Sequence, residues 1–445
     1  MTFLKLLSIR TQTYLARVRA RFAPQGLHDN ATTPEGRRRA MLLLFLCLMA
    51  NGLGQTMLFA ILPSIARDLK LTEWQAGSIF ALSAAIWVYS SSFWGRQSDR
   101  LGRRPFILIG LLGFGASMLG LASVMAMGLA GVLPAVLIWP LLVLTRSLHG
   151  VFGSAAFPAA QAYIADRTAP AERTEAIATL SASFGLGAAI GPGLGAALVY
   201  FGILAPLYFV GGLAVVSAIA IWLLLPERTR PIEAQQLGPK LSWRDPRVLP
   251  FVIFGLILGT AGAIPVQIIG FFILDSLKTT ADQGQQLTGV ALMASSVASL
   301  FAQFVLVQRF KLTTRFLIHA GVLTGLLSNL LLIIEPNYGL IVFALLLSGL
   351  GFGMARPGHA AASSLAVTPL EQGSVAGIMG GVSAVGFIFA PVLGGWLYGF
   401  WPEAPFVLCA VLMLALYLYV LANPRLSTLD VQVNVPEDDG GVPKS

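Results

Sequence analysis

Long apolar runs alternate with short polar segments from about residue 40 to residue 422. A helix needs about 20 mostly apolar residues to cross a bilayer, because lipid offers an open backbone no hydrogen-bonding partner. Twelve runs reach that length, giving predicted helices 1 to 12 at residues 40–65, 75–94, 105–126, 137–165, 174–200, 205–225, 249–274, 286–307, 316–334, 339–362, 373–399 and 404–422. The chain is therefore predicted to be an all-α polytopic membrane protein.

A polar segment at residues 226–248 divides the twelve runs into six and six. We interpret it as a cytoplasmic linker between an N-terminal six-helix bundle, residues 40–225, and a C-terminal one, residues 249–422. Residues 1–39 form a tail whose first 22 residues place apolar side chains at helical spacing among basic ones. These residues could form a helix on the membrane surface or a disordered tail, and the sequence does not distinguish the two. Residues 423–445 are predicted to be disordered.

The two halves repeat each other. With a constant offset of 199 residues, four prolines of the first half meet four of the second, namely Pro158, Pro170, Pro192 and Pro206 with Pro357, Pro369, Pro391 and Pro405. Chance similarity would favour the common residues and would not keep rare prolines in register. The repeat predicts two pseudo-symmetric bundles around a mid-membrane cavity, which rocking exposes to each side in turn.

Composition and charge agree with this architecture. The chain is 56% hydrophobic and 11% charged, whereas soluble proteins carry roughly 25% charged residues. The net charge of +9 does not indicate a nucleic-acid partner, because the basic residues lie in short segments between apolar runs. Of 29 Lys and Arg, only Arg67, Lys70 and Lys278 fall on one side, and Arg146 and Arg356 lie within predicted helices. The positive-inside rule then places both termini in the cytoplasm of a bacterial-type inner membrane.

Two glycine-containing segments have a pattern with a physical use. In the first, between helices 2 and 3, Gly95 allows close helix approach, Asp99 can face the positive end of a helix, and Arg103 can pair with a carboxylate. The second is a stripe in helix 5 where small residues three or four apart permit close packing and a proline bends the helix. Its members are Gly185, Gly187, Gly191, Pro192, Gly193 and Gly195.

These segments resemble the major facilitator superfamily. Helix 4, with Leu142, Arg146, Gly150 and Gly153, is similar to another motif of that family. The segments Ala165-Asp166-Arg167 and Ser181 to Gly195 look like those of tetracycline/proton antiporters and related multidrug exporters. The resemblance implies twelve helices in two bundles and, by analogy for the helix-5 motif, export.

The resemblance also implies a cytoplasmic latch. Asp99 would cap helix 11 near Gly373 and Ser374, and Arg103 would pair with Asp166 at the cytoplasmic end of helix 4. Together with Gly95 these residues would hold the cytoplasmic side shut in the outward-facing state. The corresponding loop of the second half, Gln308 to Arg315, lacks both Gly and Asp, so the latch is expected on one half only.

Two arginines lie inside predicted helices, where an exposed charge is costly, so each is expected to face a cavity or a partner. His149 follows Arg146 by three residues and His359 follows Arg356 by three, which places each pair on one helical face. Because histidine titrates near neutral pH, both histidines are candidates for proton coupling.

No Asp or Glu lies well inside a predicted helix. Tetracycline-type antiporters are expected to carry a carboxylate in helix 1, and the matching position here is Asn51. Two positive side chains without buried acids favour an anionic substrate. The neutral candidates for binding it are Asn51, Gln55, Tyr89, Gln267, Ser295 and Gln303, with Gln55 and Gln267 favoured as members of the first helix of each half. Trp87 and Phe157 are predicted to supply apolar contact.

The leading hypothesis is a secondary active exporter of a drug-like or metabolite-like organic anion, coupled to protons and working as a monomer. A facilitator or proton-coupled importer on the same fold is the alternative. A membrane enzyme or sensor is disfavoured, because the sequence shows no nucleotide-binding loop and no nucleophile–base set. We expect no cofactor, no metal and no nucleic acid; the partners are the substrate, protons and membrane lipids.

Overall fold

The structure is a computed structural model that describes residues 34–168, 170–226, 241–310, 312–334, 337–368, 371–423 and 426. The surface helix expected at residues 1–22 and nearly all of the C-terminal tail lie outside these residues. Within them, twelve helices are long and apolar enough to cross a membrane, as predicted. They are α1 Pro34–Asp68, α2 Glu73–Leu101, α3 Arg104–Leu129, α4 Ala135–Ala165, α5 Pro170–Leu198, α6 Ala205–Leu224, α7 Leu249–Leu277, α8 Ala281–Arg309, α9 Thr314–Ile333, α10 Tyr338–Leu365, α11 Gln372–Tyr398 and α12 Ala404–Ala422.

The segment expected as a loop after predicted helix 2 is mostly helical. α2 continues to Leu101, and only Gly102 and Arg103 separate it from α3. Gly102 has φ +98°, a conformation that favours glycine and makes the sharp turn possible. The apolar run stops near Phe93, but the helix continues because its backbone goes on satisfying its own hydrogen bonds.

Two helices are interrupted. α4 contains a 3-10 turn at Gly153–Ala155, and α8 ends in a π-helix at Ala302–Arg309. Such departures from α-helical geometry are common where a helix serves a functional site.

The sequence repeat reappears as a repeated contact. A Cβ atom added to Gly150 of α4 would overlap the backbone carbonyl of Ser83 in α2. In the second half, a Cβ added to Gly349 of α10 would overlap the carbonyl of Ser295 in α8. Glycine at these two positions, which the 199-residue offset pairs, lets each half bring the same two helices into backbone contact.

The glycine stripe of α5 packs against α1. A Cβ at Gly187 would overlap the carbonyl oxygen of Met49, and one at Gly191 would overlap the carbonyl oxygen of Leu53. Thr56 of α1 completes the contact by donating a hydrogen bond from Oγ1 to the Ala188 carbonyl at 2.8 Å. Close packing against α1 is therefore what this stripe provides.

The halves touch on one side of the membrane and part on the other. We call the side that holds most Lys and Arg the basic side, and the other the opposite side. On the opposite side, an added Cβ at Gly77 of α2 would overlap the carbonyl of Pro391, and Gly395 of α11 lies against the backbone of Glu73. Gly377 lies on the same face of α11, five turns nearer the basic side, and a Cβ added there finds no atom within 4 Å in the described structure.

Tyr89 of α2, which is 86% exposed, agrees with this opening. The gap between the halves is thus open to the basic side and closed to the opposite side.

Two glycines of α5 test the packing role of the stripe. Gly187→Ala should lower the melting temperature, because the methyl group collides with the α1 backbone and overpacking costs about 1–3 kcal/mol. Gly185→Ala should leave the melting temperature unchanged or raise it, because an added Cβ there has no neighbour within 4 Å in the described structure and alanine is the better helix former. Thermal unfolding of the purified protein in detergent measures both, and equal melting temperatures would refute the packing role.

Candidate functional site

A cavity of about 300 Å³ lies between the halves near the middle of the helices. Its volume is at the lower end of the range for small-molecule sites, about 300–1,000 Å³. α1, α2 and α4 supply thirteen of its sixteen residues, and α5, α7 and α11 supply one residue each. The wall consists of Leu48, Asn51, Gln55, Phe59, Phe80, Ser83, Ala84, Trp87, Val88, Arg146, His149, Gly153, Phe157, Phe184, Gln267 and Phe387.

Tyr89, Ser295 and Gln303 do not line the cavity, which brings together seven of the twelve residues predicted for substrate or proton binding. They are Asn51, Gln55, Trp87, Arg146, His149, Phe157 and Gln267. No Asp or Glu occurs among the described residues of the wall. Arg146 is therefore its one permanently charged group.

Arg146 lies in the wall with 1% of its surface exposed. Its Nη2 donates to Oε1 of Gln55 at 2.6 Å, and its guanidinium lies 5.8 Å from the ring centroid of Phe80. Nε and Nη1 have no hydrogen-bond partner in the described part of the chain. The Arg146 carbonyl accepts a hydrogen bond from Ser83 Oγ at 3.1 Å, which ties this part of α4 to α2. The arrangement is a buried cation with spare donors.

His149 and Gln267 add further polar atoms. His149 is 7% exposed and packs edge-on against Phe114, with ring centroids 5.2 Å apart. Gly153 makes room for the imidazole, because a Cβ there would overlap Nδ1. Within the described residues Nδ1 of His149 and both amide atoms of Gln267 lack a hydrogen-bond partner. Gln267, 6% exposed, is the polar contribution of the second half.

Arg356 and His359 do not reach the cavity wall, contrary to the sequence-based expectation. His359 is buried against α7, where Nε2 lies 2.8 Å from the carbonyl oxygen of Phe251 and the ring stacks on Phe254 at 5.0 Å. Arg356 is exposed and lies over the ring of Phe352 at 5.7 Å. The 199-residue offset pairs Arg356 with Phe157 and His359 with Ala160, so the second arginine and histidine are not the counterparts of Arg146 and His149.

The structure describes part of the predicted latch. Arg103 Nε lies 3.0 Å from Asp166 Oδ2, and Arg103 Nη1 donates to Ser98 Oγ at 2.9 Å. This ion pair joins α3 to α4 within the first half and does not cross to the second. An added Cβ at Gly95 meets no atom within 4 Å in the described structure, and the side chain of Asp99 lies outside the described part.

The end of the linker binds the start of α11 through a hydrogen bond and an ion pair. Ser374 Oγ accepts a hydrogen bond from the backbone N–H of Leu241 at 2.9 Å. Arg247 pairs with Glu371, with Nη2 and Oε1 3.0 Å apart. The hydrogen bond from Arg247 and those from the backbone and side chain of Thr368 lower the pKa of Glu371 to about 2, so this carboxylate stays ionised at physiological pH.

A second cluster of charges, missed from the sequence, joins the halves on the opposite side. Arg67 at the end of α1 binds Glu73 Oε1 at 2.6 Å and Asp275 Oδ2 at 2.6 Å. Tyr398 of α11 donates to Asp275 Oδ2 at 2.8 Å, and Arg67 lies 5.1 Å from the ring centroid of Phe271. We call Arg67, Glu73, Asp275 and Tyr398 the opposite-side cluster. Its signal in the sequence was weak, because single charges at helix ends are ordinary.

The chain is similar to known transport proteins over most of its length. The family model described as Major Facilitator Superfamily matches residues 44–310 and residues 251–436. The chain is 27% identical over 391 residues to "Multidrug resistance protein 2" of Bacillus subtilis (strain 168), covering 83% of this chain and 92% of that protein. It is 26% identical over 371 residues to "Tetracycline resistance protein, class B" of Escherichia coli, covering 80% and 87%. The solved structure of the nucleoside transporter NupG superposes with a TM-score of 0.67 at 14% identity, covering 88% of this chain and all of that one.

Asp275→Asn should loosen the closure on the opposite side, because it removes the charge that α7 offers to Arg67. Ion pairs with this exposure are worth about 0.2–1 kcal/mol, so we expect a few-fold shift toward structures open on that side. Spin labels at V132C and F400C, one in each half, report the opening as longer distances in double electron–electron resonance.

The matched control is Glu403→Gln, which removes a carboxylate at the start of α12 on the same side. Its distance distribution should equal that of the unsubstituted protein. Identical distributions for both variants would show that the opposite-side cluster does not hold the halves together.

Proposed function

Because the chain belongs to the major facilitator superfamily, we propose that it exports small organic anions across a bacterial inner membrane by alternating access, in exchange for protons. The family and the similar proteins make it a transporter and not an enzyme. The negative charge proposed for the substrate is inferred from Arg146. Its guanidinium is buried in a cavity wall whose described residues include no carboxylate.

The charge argument rests on the cost of burying an ion. A guanidinium removed from water loses several kcal/mol of solvation, which only an opposite charge or several hydrogen bonds offset. Gln55 offers Arg146 one neutral oxygen at 2.6 Å. A ligand carboxylate in the place of that amide oxygen would supply the missing negative charge, whereas a cationic ligand would add repulsion in a medium of low dielectric.

The conformation supports loading from the cytoplasm. We propose that the basic side is cytoplasmic, following the positive-inside rule, so that the cavity opens to the cytoplasm. Export then requires the opposite-side cluster to separate and the cytoplasmic ends of the helices to approach. In that state Asp99 would reach the start of α11 and complete the latch. The relatives named for drug resistance support the outward direction.

His149 is the proposed proton carrier. It lies in the cavity wall one helical turn from Arg146, and its Nδ1 has no partner within the described chain. Protonation changes the charge of His149, and the side chain lies close enough to Arg146 for that change to act on the same binding site. Proton occupancy and anion occupancy are therefore linked through the distance between these two side chains.

Replacing Arg146 should abolish anion transport selectively. Loss of a charge-assisted hydrogen-bonded pair costs about 1.5–3 kcal/mol, so Arg146→Met should lower uptake of organic anions into inverted vesicles at least tenfold, and Arg146→Lys should retain part of it. Arg356→Gln is the matched control, because that arginine lies outside the cavity wall, and it should transport like the unsubstituted protein. Preferential transport of size-matched cations would contradict the proposal.

Proton coupling is tested through His149→Gln, which keeps a polar side chain and removes the titration. In proteoliposomes given a pH jump, transport by the unsubstituted protein should depend on the proton gradient, and the variant should lose most of that dependence. His319→Gln, a histidine of α9 outside the cavity wall, serves as control. Transport that ignores the gradient in the unsubstituted protein would exclude antiport.

A further inference from the structure

Aromatic side chains dominate the cavity wall around the single cation. Six of the sixteen wall residues carry aromatic rings other than histidine, namely Phe59, Phe80, Trp87, Phe157, Phe184 and Phe387. Such a wall gives broad apolar contact and, beyond that, favours flat rings in edge-on or offset-stacked arrangements.

These rings occupy two levels. Phe59 and Phe80 are 7% and 9% exposed, lie 4.9 Å apart, and form the floor toward the opposite side. The other four rings are more exposed, and Trp87, Phe157 and Phe184 lie nearer the cytoplasmic ends of their helices than the floor does. Among them Phe157 and Phe184 meet edge-on at 6.0 Å. The cavity therefore has buried aromatic rings at its end toward the opposite side and more exposed aromatic rings toward its cytoplasmic opening.

Arg146 lies at the boundary between the two levels. Its backbone carbonyl bonds Ser83, which precedes Trp87 by four residues on α2, or about 6 Å along the helix axis. The floor ring of Phe80 lies 5.8 Å from the guanidinium. A carboxylate at Arg146 thus leaves its attached ring within reach of Trp87. The Phe157–Phe184 pair is also near, because Phe184 lies against Gly52, three residues along α1 from the Gln55 that bonds Arg146.

We propose that the cavity binds aromatic carboxylates, with the carboxylate at Arg146 and the ring between Trp87 and the Phe157–Phe184 pair. This inference rests on the proposed transport of organic anions and narrows it to one chemical class. Gln267 and Phe387, the two wall residues from the second half, place hydrogen-bonding and aromatic contacts across from the first half. A ligand held this way touches both halves.

Three probes of one shape separate the two parts of the proposal. Isothermal titration calorimetry on the purified full-length protein compares 2-naphthoate, 2-naphthamide and decahydro-2-naphthoate. The amide lacks the charge, and the saturated acid lacks the aromatic ring. We expect 2-naphthoate to bind at least tenfold more tightly than the amide and several-fold more tightly than the saturated acid.

Two substitutions assign these preferences to residues. Arg146→Met should erase the preference for naphthoate over naphthamide, and Trp87→Leu should erase the preference for naphthoate over its saturated analogue while leaving the charge preference intact. Phe209→Leu, on an exposed face of α6, is the control and should change neither ratio. Because each readout is a ratio of affinities for one protein, partial loss of folded protein does not imitate it.

Equal affinities for the aromatic and saturated acids would overturn the aromatic inference and leave anion transport standing. Equal affinities for naphthoate and naphthamide would overturn both. If naphthoate does not bind while inverted vesicles still take up other organic anions, the inference fails alone.

Discussion

Burial of an arginine in a membrane-spanning helix is the constraint on which this structure depends. Lipid cannot solvate a guanidinium, so the surrounding helices must enclose it, and the first half does so with α1, α2 and α4. Gln55 bonds the side chain from α1, and Ser83 of α2 bonds the backbone of Arg146. Gly150 brings α4 against α2 directly beside this site. The glycine packing and the buried charge are thus parts of one arrangement.

The two sides of the membrane are closed by different physics. On the opposite side, backbone-to-backbone contacts at Gly77 and Gly395 surround the short ion pairs of Arg67 with Glu73 and Asp275. On the cytoplasmic side, as we assign it, the pair of Arg103 and Asp166 remains within one half. Close backbone packing and ion pairs between the halves together close the opposite side. On the basic side the described Arg103–Asp166 ion pair lies within the first half and does not join the two halves.

Much of the fold was predictable from the sequence because lipid imposes a simple rule. Apolar length gave the twelve helices, and the register of prolines gave the repeat. Seven cavity residues were also predictable, because a charged or strongly polar side chain within an apolar helix needs a cavity or a partner.

The failures share a cause. The Arg356–His359 spacing imitates Arg146–His149, but residue spacing along one helix gives no depth relative to another helix. To predict the opposite-side cluster, one would have to know that α1 and α2 contact α7 and α11. A charge at a helix end does not indicate which residue it pairs with. Neither the position of Arg356 and His359 nor the opposite-side cluster could therefore be predicted without the arrangement of the helices.

The crossing of α1 and α7 connects the cavity to the opposite-side cluster. Pro63 of α1 lies against Gly270 of α7, where an added Cβ would come within 2.6 Å of the proline ring. On the basic side of this crossing the two helices carry Gln55 and Gln267 in the cavity wall. On the other side they carry Arg67 and Asp275, 2.6 Å apart.

Rotation of the halves about that crossing must therefore bring the cavity-bearing arms together as the charged ends separate. A ligand drawn between Gln55 and Gln267 favours the same rotation that breaks the ion pair. Gly270 lets α1 and α7 touch closely enough to act as the pivot of this rotation.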